Sequence, residues 1–222
     1  MRGAASNGRP YRDYPPSMPT HSGTTMPKLS GAQHLPDLAA SLNNQSARLA
    51  ELGRREDAFG AIDEAVRIYR TLADARPDAF RSNLAASLNN QSTFLSELVG
   101  RGEDALVAID EAVSIYRALA DARPEAFLPD LAMSLSNQSG RLSDLGRRED
   151  AVTVIDHAVR LILPALERSP FLVSDLGQRM AKSYVRRCRE VGRDPDSVLI
   201  ERLDQVLLSA GQRDADDERA DR

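Results

Sequence analysis

The sequence predicts an all-α protein: an α-solenoid of antiparallel helix pairs, with three good repeats followed by a degenerate C-terminal cap. Two short words recur along the chain at a spacing of about 46 residues. Such self-similarity is typical of stacked copies of one unit that cannot bury its apolar face alone. The words are SLNNQS at 41–46 and 87–92 with SLSNQS at 134–139, and AIDEAV at 61–66 and 108–113 with VIDHAV at 154–159.

The spacing of the two words locates a turn inside each copy. Copies of the first word are 46 and then 47 residues apart, whereas copies of the second are 47 and then 46 apart. One extra residue therefore lies between the words of the second copy, at 98–101, where the first copy has 52–54 and the third has 145–147. Each segment contains a glycine, and insertions are tolerated in turns rather than inside packed helices. The sequence thus predicts two helices per copy, joined at the glycine.

The second helix of each copy carries an apolar stripe. Ala58, Ile62, Ala65, Tyr69 and Leu72 follow the spacing i, i+4, i+7, i+11 and i+14, which places them on one face of a helix. The same residue types recur 47 positions later in the second copy. The first helix also has leucines at helical spacing, and these are Leu38, Leu42, Leu49 and Leu52.

Prolines mark the predicted helix boundaries. Pro36 and Pro129 are expected in the first turn of a first helix, where a missing N–H costs little. Pro77 and Pro124 follow second helices and are expected to end them. Pro164 stands inside the second helix of the third copy, which we therefore expect to kink or to stop early.

The chain is predicted to be one repeat domain with two tails. Residues 1–31 are rich in Gly, Pro, Ser and Thr and are expected to be disordered. The repeat domain spans 32–210, and its C-terminal cap is a fourth, degenerate pair at 172–191 and 197–209. Residues 211–222 are highly charged and are also expected to be disordered.

Composition excludes several classes of function. The net charge of -4 argues against general binding to nucleic acid or to a membrane surface. Cys188 is the only cysteine, which rules out an internal disulfide and favours a cytoplasmic location. Lysine is nearly absent while arginine is frequent, a bias that suggests a bacterial origin. The cap is locally basic, and we interpret this as a solvated face rather than a binding patch; its basic residues are Arg179, Lys182, Arg186, Arg187, Arg189 and Arg193.

The units resemble tetratricopeptide repeats. In that family a large apolar residue lies eleven positions before the glycine between the helices, and small residues lie five and twelve positions after it. Leu42, Gly53, Ala58 and Ala65 occupy these positions in the first copy. The third copy matches in the same way, and the second is displaced by its inserted residue. The Leu-Asn-Asn run is similar to the kinesin-light-chain subclass.

Two features depart from that family. The period exceeds the usual 34 residues, which implies an extended second helix. Gln45, Gln91 and Gln138 stand where the family usually has an apolar residue. HEAT-type repeats share the longer period, but they do not explain the small residues after the glycine.

The resemblance implies a peptide-binding groove lined by the first helix of each pair. Small and polar residues at these positions suit an extended chain lying close to the helices. Asn43 and Asn89 are either ligand anchors, because an amide can bind a peptide backbone, or structural residues. For Asn44, Asn90 and Asn137 we favour bonding between helices. The implied groove residues are Asn43, Ala47, Ala50 and Glu51; Asn89, Thr93, Ser96 and Glu97; and Ser136, Gly140, Ser143 and Asp144.

Glu51, Glu97 and Asp144 would place one acid per repeat along that groove. If they line it, a basic or amine-bearing ligand is expected. The alternative is that they are ordinary solvated acids.

No residue pattern indicates catalysis, a cofactor or a metal site. The sequence therefore predicts an adaptor or scaffold for a protein or peptide ligand rather than an enzyme, with no nucleic-acid or membrane partner. Two alternatives stay open. One is a detached sensory or regulatory module of a bacterial signalling system, acting on a separate NTPase or protease-like effector. The other is a self-assembly module, for which self-association is possible.

Overall fold

A computed structural model describes residues 34–168 and 170–220, with side chains described outside 170–174 and 209–220. The predicted tail over 1–31 lies outside the described residues. Each helix packs antiparallel against the next, and first helices of successive pairs also touch, as α3 does with α5 and α5 with α7. This part of the chain is an all-helical solenoid of four pairs. Its helices are α1 Leu35–Glu51, α2 Arg55–Ala75, α3 Pro77–Glu97, α4 Gly102–Ala122, α5 Pro124–Asp144, α6 Arg148–Arg168, α7 Pro170–Glu190 and α8 Ser197–Ala220.

Glycines close three of the turns within pairs in the same way. Gly53, Gly146 and Gly192 have φ values of 73°, 77° and 68°, a left-handed conformation that costs glycine little. In the first turn, the Gly53 N–H donates to the Ala50 carbonyl and the Arg54 N–H donates to the Leu49 carbonyl. This pair of hydrogen bonds is a Schellman motif, which satisfies the last carbonyls of a helix. The predicted glycine joint is confirmed.

The turn between α3 and α4 contains the inserted residue and differs from the other three. Leu98 is extended there (φ -90°, ψ 132°), and the left-handed glycine follows two positions later at Gly100. The Arg101 N–H donates to the Leu98 carbonyl, so the Schellman pattern is lost. Val99 is fully exposed. The insertion lies in a turn, as its position in the sequence predicted.

The predicted stripe on α2 is buried. Ala58, Ile62 and Ala65 have no exposed surface. In α1, however, Leu38 is 45% exposed, although its equivalent in the next repeat, Leu84, is 5% exposed. The difference arises because α3 packs against α2 of the preceding repeat, whereas α1 has no preceding pair among the described residues. Leu52 is also exposed, because it caps α1 in the turn rather than lying on a packed face.

The prediction for Pro129 is corrected, and so is the early stop expected at Pro164. Pro36 lies in the first turn of α1, as predicted. Pro77 and Pro124 follow the ends of α2 and α4, as predicted, and they also begin α3 and α5. Pro129, in contrast, lies inside α5 because that helix begins at Pro124. Its missing N–H would have bonded the carbonyl of Glu125, an exposed residue of the first turn that water can satisfy instead.

The helix α6 does not stop early at Pro164. It continues to Arg168 and has the same 21 residues as α2 and α4. Buried residues on both sides of the proline, Leu163 and Leu166, hold this segment against the core. Tertiary packing therefore outweighs the lost hydrogen bond.

The cap forms the predicted fourth pair, α7 and α8. The helix α8 extends to Ala220, well beyond the predicted end at 209 and into the segment 211–222 that was expected to be disordered. This segment has no proline, and it places opposite charges such as Arg213 and Asp217 at helical spacing, which favours helix. None of the helices within 34–168 and 170–220 combines the length and apolar character needed to cross a membrane.

Candidate functional site

Asparagine and serine side chains link the first helices of successive repeats. The Asn43 Nδ2 donates to the Ser87 Oγ over 2.7 Å, and the Asn89 Nδ2 donates to the Ser134 Oγ over the same distance. Each serine hydroxyl also donates to a carbonyl of its own helix, at 2.9 and 2.8 Å. The repeated word thus contains both partners of a bond between repeats: its first serine accepts from the asparagine of the preceding copy.

The second asparagine of the word adds further bonds between repeats, and we call the whole set of these asparagine and serine bonds the ladder. The Asn137 Nδ2 donates to the Asn89 Oδ1 over 3.2 Å, and the Asn90 Nδ2 reaches the Asn43 Oδ1 at 3.5 Å. Asn89 is 5% exposed, and both ends of its amide are engaged. Of the two interpretations left open for Asn43 and Asn89, this geometry favours the structural one. The structural role expected of Asn90 and Asn137 agrees with their bonds, whereas Asn44 is exposed.

The glutamine of the word, which stands where tetratricopeptide repeats usually have an apolar residue, binds an aspartate of the preceding repeat in two of the three copies. The Gln91 Nε2 donates to the Asp63 Oδ1 over 3.1 Å, and the Gln138 Nε2 donates to the Asp110 Oδ1 over 2.7 Å. The acceptor is in each case the aspartate of the second word, on the second helix of the preceding repeat. The two repeated words therefore bind one another across the interface. Sequence reasoning missed this pairing, although the co-occurrence of the words was its signal.

The last serine of the word joins the two helices of a single repeat. The Ser92 Oγ donates to the Ala105 carbonyl and the Ser139 Oγ to the Ala151 carbonyl, both over 2.7 Å and both buried. These serines, too, were absent from the predicted site. Every polar position of the word thus has a structural partner in at least one copy, although Asn44 and Gln45 of the first copy are exposed.

The ladder ends at the cap, and the third copy of the word has changed accordingly. Ser136 replaces the asparagine that donates in the first two copies. In α7, Met180 takes the place of the accepting serine, 46 positions after Ser134. Met180 is buried and has no hydroxyl to accept a bond. The third copy has thus lost the donating asparagine at the place where the next helix, α7, has lost the accepting serine.

The predicted groove residues vary in exposure along the first-helix face. The Thr93 and Ser96 hydroxyls donate to carbonyls of their own helix, at 3.2 and 2.7 Å. Glu97 forms an exposed ion pair with Arg55 at 3.4 Å. Exposed members of the predicted set are Ala47, Glu51, Glu97 and Asp144; half-buried members are Asn43, Ala50, Thr93, Ser96, Ser136, Gly140 and Ser143; and Asn89 is buried.

A polar cavity of about 450 Å³ lies on this face between α5 and α7. It brings together Ser136, Gly140 and Asp144 from the predicted set with arginines that sequence reasoning did not place there. Its lining residues are Ser136, Asn137, Gly140, Arg141, Asp144, Ser183, Arg186, Arg187 and Glu190.

Arg187 is not a solvated residue of the cap, contrary to the prediction. It is 8% exposed, and its Nη1 donates to the Ser143 Oγ at 2.7 Å and to the Glu190 carboxylate at 2.9 and 3.0 Å. The bond from Arg187 holds the pKa of Glu190 below its ordinary value. The pattern of charges could not reveal this burial, because it depends on how the degenerate α7 packs against α5. Arg179, Lys182, Arg186, Arg189 and Arg193 are exposed, as predicted.

Arg141 is the second largely buried arginine of the cavity. Its side chain is 16% exposed, and its contact with Asp144 is a loose ion pair of 3.8 Å. Burial lowers the pKa of the Arg141 guanidinium, against the opposing effects of the Asp144 and Glu97 carboxylates. The Nε atoms of Arg141 and Arg187 are both buried without a hydrogen-bond partner. Two adjacent guanidinium groups are thus only partly compensated.

A second cavity of about 310 Å³ adjoins the first and shares Arg141 and Asp144 with it. It lies at the turn that contains the inserted residue, and its walls include three apolar side chains. Its lining residues are Ser96, Glu97, Leu98, Val99, Gly100, Gly102, Arg141, Asp144 and Leu145.

Within the described parts of the chain, no group of His, Cys, Asp and Glu side chains is arranged to hold a metal ion. His157 is exposed on α6. Cys188 has no exposed surface, and burial raises the pKa of its thiol, which disfavours the reactive thiolate.

No protein family matches this sequence, and no curated protein matches it. Among solved structures, the chain is similar to the crystal structure of a de novo designed helical repeat protein. The two share 19% sequence identity with a TM-score of 0.41, over 86% of this chain and 96% of the designed one.

Proposed function

We propose that this chain is a binding scaffold for a protein or peptide ligand, and that the ligand lies along the face formed by α1, α3, α5 and α7. The observation that carries this proposal is the pair of adjoining cavities on that face, which share Arg141 and Asp144. The two cavities adjoin one another on that face, apart from a further cavity of about 400 Å³ that is lined by residues of α1 and α2. Adjoining open pockets suit an extended chain better than a small molecule, which is usually enclosed on most sides.

We further propose that the repeats are of the tetratricopeptide type. In support, small residues without exposed surface follow the glycine turn in successive pairs, at Ala58, Ala105 and Ala151. These positions allow two helices to approach closely. The Leu-Asn-Asn run, which resembles the kinesin-light-chain subclass, here serves the bonds between repeats. We therefore assign ligand binding to the cavities, and we propose no catalytic role for the chain.

A peptide-display selection on the immobilised full chain tests the proposal. Gly140→Gln places a longer side chain in the larger cavity, where a Cβ would have only the Arg187 Nη2 nearby, at 4.0 Å. Gly60→Gln is the matched control, because Gly60 lies in α2, lines a separate cavity of about 400 Å³ that does not include Arg141, and has nothing within 4 Å of its Cβ position. Both changes replace a helical glycine with a better helix former.

We expect the wild-type chain and Gly60→Gln to enrich the same peptides from a random library to the same extent. Gly140→Gln should not enrich them. Equal enrichment on all three proteins would place binding outside the cavities. No enrichment on the wild-type chain would contradict the proposed function itself. Circular dichroism of the variants confirms that any loss does not result from unfolding.

A further inference from the structure

We propose that the two cavities select a peptide segment in which an acidic side chain stands next to a large apolar one. The carboxylate would bind at Arg141 in the larger cavity, and the apolar side chain would occupy the smaller cavity beside Leu98, Val99 and Leu145. This inference rests on the proposed function and adds to it the chemistry of the ligand.

The charges of the larger cavity leave one guanidinium poorly compensated. The Arg187 Nη1 donates to Glu190 and to Ser143 over 3.0 Å or less, although the Arg187 Nε has no partner. Among the described residues, the one ion pair of Arg141 is with Asp144, at 3.8 Å, and that carboxylate is itself 60% exposed, while Glu97 acts on Arg141 without forming an ion pair with it. A guanidinium removed from water is costly unless an anion and hydrogen bonds replace the water. The missing partner of Arg141 is therefore a carboxylate, which guanidinium groups bind with two parallel hydrogen bonds.

Gly140 leaves the space that such a carboxylate needs. It lies inside α5, where glycine is a poor helix former. The first two copies carry Ala47 and Thr93 at the corresponding groove position. At Gly140 a Cβ would meet only the Arg187 Nη2, at 4.0 Å, so packing does not demand the glycine. Its effect is to keep the cavity open in front of the two arginines.

The inserted residue of the second repeat supplies the apolar half of the site. Leu98 is extended and Val99 is fully exposed, so the turn presents both residues to the smaller cavity. Leu145 forms the opposite wall from the next repeat. Because the other turns lack the insertion, this combination of apolar turn and buried arginine occurs at one place on the described face.

The acids on this face do not favour the basic ligand that the sequence suggested. Glu97 already pairs with Arg55, and Asp144 pairs with Arg141. The larger cavity, where we place the carboxylate, is lined by three arginines and two carboxylates, whereas the smaller cavity adds the carboxylate of Glu97. A basic ligand would have to displace these arginines from their partners, whereas an acidic ligand would complete the set.

The display selection distinguishes this inference from the proposed function. We expect peptides recovered on the full chain to contain Asp or Glu next to Leu, Ile, Met or Phe. Recovery of neutral or basic peptides would contradict the inference and leave the proposed function standing. Recovery of none would contradict both.

Calorimetric titration then measures the contribution of the charge. Replacing the acid of a recovered peptide by its amide is expected to weaken binding to the wild-type chain about tenfold or more, as for a hydrogen bond to a charged group. On Arg141→Gln, acid and amide peptides should bind within about twofold of one another. Arg117→Gln, which removes an exposed arginine of α4, should retain the wild-type preference.

Arg141→Lys serves as a second variant because it keeps the charge but not the planar fork. We expect it to retain part of the preference for the acid peptide. If Arg141→Gln keeps the full preference while its circular dichroism is unchanged, Arg141 is not the carboxylate-binding residue and the inference is overturned.

Discussion

The Asn89 amide and the Ser134 hydroxyl form a buried hydrogen bond of 2.7 Å between two successive repeats. The Ser134 hydroxyl in turn donates a hydrogen bond to the backbone carbonyl of Asp130, within its own helix α5. Because both partners are specific polar groups within an apolar surround, a shift of one repeat against the next would leave both unsatisfied. The pair therefore fixes the register of stacking, a role that apolar contacts alone perform poorly.

Removal of the Asn89 amide should destabilise the fold. Asn89→Ala leaves the Asn137 donor without its acceptor and removes the bond to Ser134. We expect a loss of about 1–3 kcal/mol in the free energy of unfolding, measured in urea. The control is Asn44→Ala, at an exposed asparagine of the same word, which should change stability by less than about 0.5 kcal/mol. Equal effects for the two variants would show that the ladder does not contribute.

Two helical glycines should respond oppositely to the same substitution. A Cβ at Gly177 of α7 would lie 2.8 Å from the Leu166 Cδ2 and 3.4 Å from the Leu207 Cδ2. Gly177→Ala is therefore expected to cost about 1–3 kcal/mol of stability through overpacking between three helices. Gly60→Ala, in open space, is expected to gain about 0.5–1 kcal/mol. Thermal or urea unfolding of both variants gives the sign, and a gain at both positions would contradict the close approach.

The Tyr116 phenol should make stability fall at alkaline pH. Burial raises the pKa of Tyr116 well above its ordinary value of about 10, so the folded state binds the proton more tightly than the unfolded state does. Its contribution is complete below pH about 10 and is lost as the pH rises toward the folded pKa. Urea unfolding at pH 8 and pH 10.5 should show a smaller decrease for Tyr116→Phe than for the wild-type chain. An equal decrease in both proteins would assign the effect to other groups.

The Cys188 thiol should be protected from reagents in the folded chain. It has no exposed surface, and burial raises its pKa, so both access and the thiolate fraction are low. Labelling with a chromogenic disulfide reagent should be at least about a hundredfold slower in buffer than in denaturing urea. Rapid stoichiometric labelling of the native chain would show that the interface between α7 and α8 opens readily.

Sequence reasoning recovered the features that depend on local periodicity. The apolar stripe that includes Ile62 and Tyr69 requires only the helical period, and the joint at Gly53 requires only the spacing of two words. The spacings of the two words also placed the inserted residue within 98–101. These signals lie within a single helix or turn, where the chain itself carries the full pattern.

Features that depend on contact between repeats were harder to predict. The partner of Asn89 lies 45 residues away, and its identity requires the register of one helix against another. The burial of Arg187 depends on the degenerate cap, for which no regular copy exists to compare. Pro129 was misplaced because α5 begins one turn earlier than its leucines indicate. Nothing in the sequence indicated Arg141, because its proposed role depends on the burial of its side chain and not on its position in a repeated word.

The replacement of a serine by Met180 determines which repeats of the solenoid can be duplicated without losing hydrogen bonds between repeats. A duplicated copy of the second repeat, inserted before the third, would offer Ser87 to one neighbour and Asn89 to the other. Every rung of the ladder would then be complete, and a longer solenoid should fold. A copy of the cap inserted at the same place would set Met180 against Asn89 and leave a buried amide unpaired. We therefore expect the solenoid to tolerate duplication of an interior repeat but not insertion of a second copy of the cap at that place.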